Sequence, residues 1–121
     1  MTHGHDWANL SSGQKKFYTE QGVTAGSYNR WWSQSQLDRT ETTKQATKAG
    51  YKSGLQFYAV QTQVKTWAGK KIKVTTPPRE AARLMVKGTK GSTAKRQRDM
   101  TAKLFNLKDF THVEWENFLS P

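Results

Sequence analysis

Tyr51-Lys52-Ser53-Gly54-Leu55-Gln56-Phe57-Tyr58-Ala59-Val60-Gln61-Thr62-Gln63-Val64-Lys65-Thr66-Trp67-Ala68-Gly69-Lys70-Lys71-Ile72-Lys73-Val74-Thr75 admits two readings, and the choice between them decides the fold. Phe57, Val60, Val64 and Trp67 recur at helical spacing, with Tyr51, Leu55 and Tyr58 as an adjoining stripe. Yet Tyr58, Val60, Thr62, Val64 and Thr66 also alternate, and the run 71–75 alternates cleanly after Ala68 and Gly69. The first pattern predicts a helix ended by Gly69, then a short edge strand or extended segment with Ile72 and Val74 inward and the lysines outward. The second predicts a hairpin over about 60–76, turning at Ala68-Gly69. We favour the helix, with the hairpin as the open alternative.

The flanking segments read as helices. On the C-terminal side, Thr76 can cap and a proline in the first turn loses no hydrogen bond. Ala81, Leu84 and Met85 then form an inward face, and Gly88 stops the helix. A basic loop, Thr89-Lys90-Gly91-Ser92, follows. Ser92 or Thr93 caps the next helix, with Met100, Leu104 and Leu107 as its buried stripe. Thr111 and Glu114 make a capping box, with Phe110 and Trp115 at staple spacing, for a last helix over about 112–119. On the N-terminal side, residues 33–50 are polar and predict either a linker or a solvated helix over about 37–49. Before them, Ser11 or Ser12 caps a helix ending at Gly22, and Thr24 caps a second one carrying Tyr28, Trp31 and Trp32. Residues 1–10 form an extended arm closed by Trp7 and Leu10. The expected fold is mainly α: a small multi-helix domain over 1–121, in which the one candidate β element is a short hairpin or edge strand around 60–76.

Charge divides this chain more sharply than hydropathy does. Residues 44–108 carry sixteen Lys or Arg against two acids, Glu80 and Asp99, a net of +14. The stretch before them is neutral, and residues 109–121 hold three acids and no Lys or Arg. The expected organisation is therefore a neutral arm and helical hairpin (1–36), a basic body (37–108) and an acidic aromatic end (109–121). Such a field attracts polyanions. With 34% apolar residues and five Trp, the core is expected to be modest and anchored by aromatic rings. The absence of cysteine excludes disulfides, thiolate metal sites and a cysteine nucleophile. No apolar run approaches the ~20 residues that span a bilayer, and the N-terminus lacks the pattern of a signal peptide. Neither membrane binding nor secretion by a signal peptide is expected.

Catalysis is not expected either. His3, His5 and Asp6 have no convergent fourth group beyond His112, so the expectation is no metal and no cofactor. The run Gly88-Thr89-Lys90-Gly91-Ser92-Thr93 lacks both the Walker spacing and a preceding apolar strand. Nucleic-acid contact has positive support. Lys87, Lys90, Lys95, Arg96 and Arg98 bracket a Gly-Ser-Thr loop, and Lys70, Lys71 and Lys73 form a second cluster. Such groups position a protein on phosphates without reading bases. The acidic C-terminal segment, with Phe110, Trp115, Phe118 and Leu119, reads as a docking element, either folding back on the basic body or engaging a neighbouring subunit.

Two resemblances bear on function. Gln14, Phe17, Gly22, Val23, Thr24, Tyr28 and Trp31 resemble the helix-turn-helix family over 14–32, with departures at Tyr18, where that family has a small residue, and at Gln21. The resemblance implies a groove-facing side of Ala25, Gly26, Ser27, Asn29 and Arg30, of which only Asn29 and Arg30 suit base reading. The run from Leu10 through Gln14, Tyr18 and Gly22-Val23-Thr24 to Tyr28 resembles the openings of small proteins from actinobacterial tailed phages. That implies a source, and a place in the virion or host cytoplasm. Two functions follow: a structural or assembly protein of a phage-like particle that meets nucleic acid or acidic subunits, or a small helix-turn-helix regulator. The first is preferred, because the second sets its recognition unit in the neutral third of the chain.

Overall fold

The computed structural model describes residues 5–86 and 93–105, with the backbone alone for 86 and 93–98. The helix predicted within 51–75 is the centre of the fold. After a 3-10 turn at Trp7–Asn9, the helices are α1 (Ser12–Glu20), α2 (Ala25–Ser33), α3 (Gln36–Ala49), α4 (Gly54–Ala68), α5 (Pro78–Val86) and α6 (Thr93–Leu104). Helices α2, α3, α5 and α6 all pack on α4. No strand occurs among the described residues, so the hairpin alternative is set aside.

Helix wins in α4 because its partners surround it. Phe57, Val60 and Val64 are buried at 3% exposure or less, as the helical spacing requires. Burial also takes Ala59 and Gln63, which the strand pattern would have turned outward. Each large apolar side chain so buried contributes about 1.5–3 kcal/mol, far more than the few tenths by which propensity separates Val or Thr from better helix formers. The Thr62 and Thr66 hydroxyls donate to the carbonyls of Tyr58 and Thr62, both at 2.9 Å, which keeps these β-branched residues satisfied within the helix.

The ends of the helices are written in the chain. Ser11 and Gln14 form a reciprocal capping box at α1, and Thr24 and Ser27 form another at α2. Ser35 caps α3 and Ser53 caps α4 through their side-chain oxygens. Gly50 and Gly69, both with positive φ, close α3 and α4. Thus the polar stretch 33–50 holds a helix over Gln36–Ala49, with Ala46 in the core and the Thr40 and Thr47 hydroxyls donating to the carbonyls of Gln36 and Thr43. At α5 the expected cap is corrected. The helix starts at Pro78, and the Thr76 hydroxyl accepts from the Lys73 amide at 3.3 Å instead of capping it. Ala81 and Met85 are buried as predicted, together with Ala82, while Leu84 is half-buried. In α6, Leu104 is buried, Met100 half-buried, and Thr101 joins the core. Gly88, Leu107 and the capping box of Thr111 and Glu114 lie outside the described residues.

A second, aromatic cluster ties the arm to the bundle. The Trp7 ring meets Tyr28 edge-on at 5.6 Å and Tyr18 at 6.3 Å, and His5 stacks on Trp32 at 3.8 Å. The Arg39 guanidinium lies 4.6 Å from the Trp32 ring centre, a cation–π contact between α3 and α2.

Candidate nucleic-acid interface

The segment after α4 carries one of the two predicted basic clusters, and its backbone is pinned at several points. Gly69, at φ 66°, turns the chain out of the helix. Ile72 is then buried, while Lys70, Lys71 and Lys73 are exposed, the alternation read from the sequence. The Gln61 side chain donates to the Ile72 carbonyl at 3.2 Å. The Thr76 amide donates to the Lys73 carbonyl at 2.9 Å, closing a turn. The Tyr51 hydroxyl donates to the Thr76 carbonyl at 2.8 Å. Burial, and secondarily the charge of Glu80, raises the Tyr51 phenol well above its ordinary value, so it remains a donor at any physiological pH. The result is a ledge: an irregular segment tied to the helices at Ile72 and Thr76, with three exposed ammonium groups along it. Lys65, exposed in the last turn of α4, adds a fourth cation near the start of the ledge. A fixed ledge of this kind binds anions without first ordering its backbone.

The second cluster is located only in part. Lys87 and Lys90 lie outside the described residues. Lys95, Arg96 and Arg98 fall on the backbone of α6, which packs on α5 and α4, the helices on either side of the ledge. Their side chains lie outside the described set, as do Phe110, Trp115, Phe118 and Leu119, the residues expected to dock.

The helix-turn-helix outline is present as α1, a turn through Gly22, and α2, but the implied reading face is changed in two places. Ser27 is fully buried, its hydroxyl donating to the Thr24 carbonyl at 3.1 Å. Asn29 is exposed, but its Oδ1 accepts from the Trp7 amide at 2.8 Å and anchors the arm. Arg30 remains on the exposed side, near enough to Tyr58 to counter the rise of its phenol pKa, which burial causes first. Asn29→Ala is therefore expected to lower stability by about 0.5–1 kcal/mol, because the arm loses its anchor. Denaturant titration reads that change, and duplex binding should be unaltered.

Residues of the run from Leu10 to Tyr28 have folding roles: Ser11 and Thr24 cap, Gln14 completes a box, Gly22 turns at φ 81°, and Val23 and Tyr28 are buried. Reading along the sequence missed a further set of cations. Lys52, Arg79 and Lys103, far apart in the chain, converge on two adjoining clefts. No local pattern signals such a set, because its members come from three different segments. Among the described residues no group of three His, Asp or Glu is placed to hold a metal ion, and no helix is long and apolar enough to cross a membrane. The chain matches no known family, no curated protein and no solved structure.

Proposed function

We propose that this chain is a non-enzymatic structural or assembly protein of a phage-like particle, whose basic surface rests on the phosphate backbone of nucleic acid. The observation that carries the phosphate contact is the ledge: Lys70, Lys71 and Lys73 are held outward by a buried Ile72 and by hydrogen bonds from Gln61 and Tyr51. They belong to a stretch with a net charge of +14, beyond what solubility asks of a small domain. Acidic protein subunits offer the same surface a second kind of partner. Placement in a particle is supported by the pattern from Leu10 to Tyr28.

Replacing Lys70, Lys71 and Lys73 by Gln should weaken binding to any duplex by a similar factor. The slope of log affinity against log salt should flatten by about 3, at about 0.9 for each phosphate that is no longer neutralised. Affinity measured at several salt concentrations tests this, and an unchanged slope removes the ledge from the interface. The same measurement on Lys95→Gln, Arg96→Gln and Arg98→Gln tests the second cluster. The regulator reading is favoured by the α1–α2 outline and by Arg30. It requires a footprint on one defined operator that is abolished in Arg30→Ala.

A further inference from the structure

The two clefts lie side by side, with volumes of about 230 and 270 Å³, and share Lys52 and Gln56. The first has an apolar floor of Val23, Leu55 and Leu104, with Lys52 and Lys103 at its rim and Glu20 on its wall. The second sets Pro78 and Phe105 beside Lys52 and Arg79. Gln56 braces the pair, donating to the Leu104 carbonyl at 2.6 Å and accepting from the Lys52 amide. The walls therefore come from the α1–α2 turn, the start of α4, the start of α5 and the end of α6.

We infer that this paired cleft receives the chain's own acidic aromatic end, residues 109–121. Glu114 and Glu116 would sit against Lys52 and Lys103, and Trp115 or Phe118 against the apolar floor. Three observations converge on that occupant. The rim is basic and the segment carries three acids with no Lys or Arg, so the charges are complementary. The floor is apolar, which a phosphate backbone does not use and an aromatic side chain does. The connection is short: Phe105 itself lines the second cleft, and the five residues to Phe110 reach at most about 17 Å. Tethering at that length gives an effective concentration in the millimolar range, which the end of a second copy would have to exceed. This docking is independent of the phosphate contact at the ledge and goes beyond it.

The test is zero-length carbodiimide coupling of amines to carboxylates in the full chain, using an equal mixture of isotopically heavy and light protein and reading the products by mass spectrometry. Coupling of Lys52 or Lys103 to Glu20, on the wall of the same cleft, serves as the control. The expected result is coupling of Lys52 or Lys103 to Asp109, Glu114 or Glu116 within single chains. The yield should fall about tenfold in Trp115→Ala/Phe118→Ala, whose rings would otherwise be buried. Links between heavy and light chains would make a second copy the occupant and overturn the inference. Control links without tail links would overturn it too, as would tail links insensitive to removal of the rings. Protection of Lys52 and Lys103 from acetylation by duplex DNA, with tail links absent, would assign the cleft to phosphate instead.

Discussion

Gly54→Ala is expected to destabilise the protein by about 3 kcal/mol, the upper range for overpacking a tight core. The sign is the informative part. Glycine is a poor helix residue, and at an exposed helical position the same substitution stabilises by up to about 1 kcal/mol. Gly54 opens α4 and is buried, with no positive φ that would reserve it for glycine. Its constraint is purely one of space. A Cβ there would lie 2.7 Å from Thr43 Oγ1 and 2.8 Å from Trp31 Cζ3, and nearer still to Trp31 Cη2. These atoms belong to α3 and α2, so the missing methyl group is what lets three helices meet. Denaturant titration is the measurement. A midpoint at or above that of the unaltered protein would mean the three helices do not converge there.

Trp31→Ala should cost about 3–5 kcal/mol, the usual range for removing a buried aromatic side chain. Trp31 is 7% exposed, and its ring meets Tyr58 of α4 edge-on at 5.2 Å while covering Gly54. Its removal opens a cavity between α2 and α4. Against a stability of about 5–15 kcal/mol for an ordinary domain, this takes a large share. The two substitutions should also couple. The methyl group added at position 54 enters space that the Trp31 ring vacates, so the double variant should be destabilised by less than the sum of the two single effects. Strict additivity in the double-mutant cycle would contradict the contact between Trp31 and Gly54.

Much of the local structure is legible in the residues. Ser11, Thr24, Gly22 and Gly69 announce starts and stops, because a cap or a positive φ is a property of two or three adjacent residues. The alternation Lys71-Ile72-Lys73 likewise announces its own exposure, and the ledge follows it. Where two local signals conflicted, local reading was insufficient. The stretch from Tyr58 to Thr66 alternates like a strand and repeats like a helix. The burial of Ala59 and Gln63 settles it, in a helix against which α2, α3 and α5 pack, and the stretch itself does not report those partners.

The charge division, the mainly helical class, the caps of α1 and α2 and the outward lysines were determined by the sequence alone, because each is carried by composition or by spacing along one segment. Tertiary structure decided the rest. It turned Asn29 from a base-reading candidate into the anchor of the arm, through a hydrogen bond spanning 22 positions. It put Ser27 inside, and moved Thr76 from capping α5 to closing the turn of the ledge. It brought Lys52, Arg79 and Lys103 to one paired cleft. The Asn29 bond and the convergence of cations depend on which distant segments the hydrophobic core draws together, and the fate of Ser27 and Thr76, whose own bonds reach only three positions away, depends on how the chain around them packs. Sequence periodicity reports only the face that a segment offers to that core.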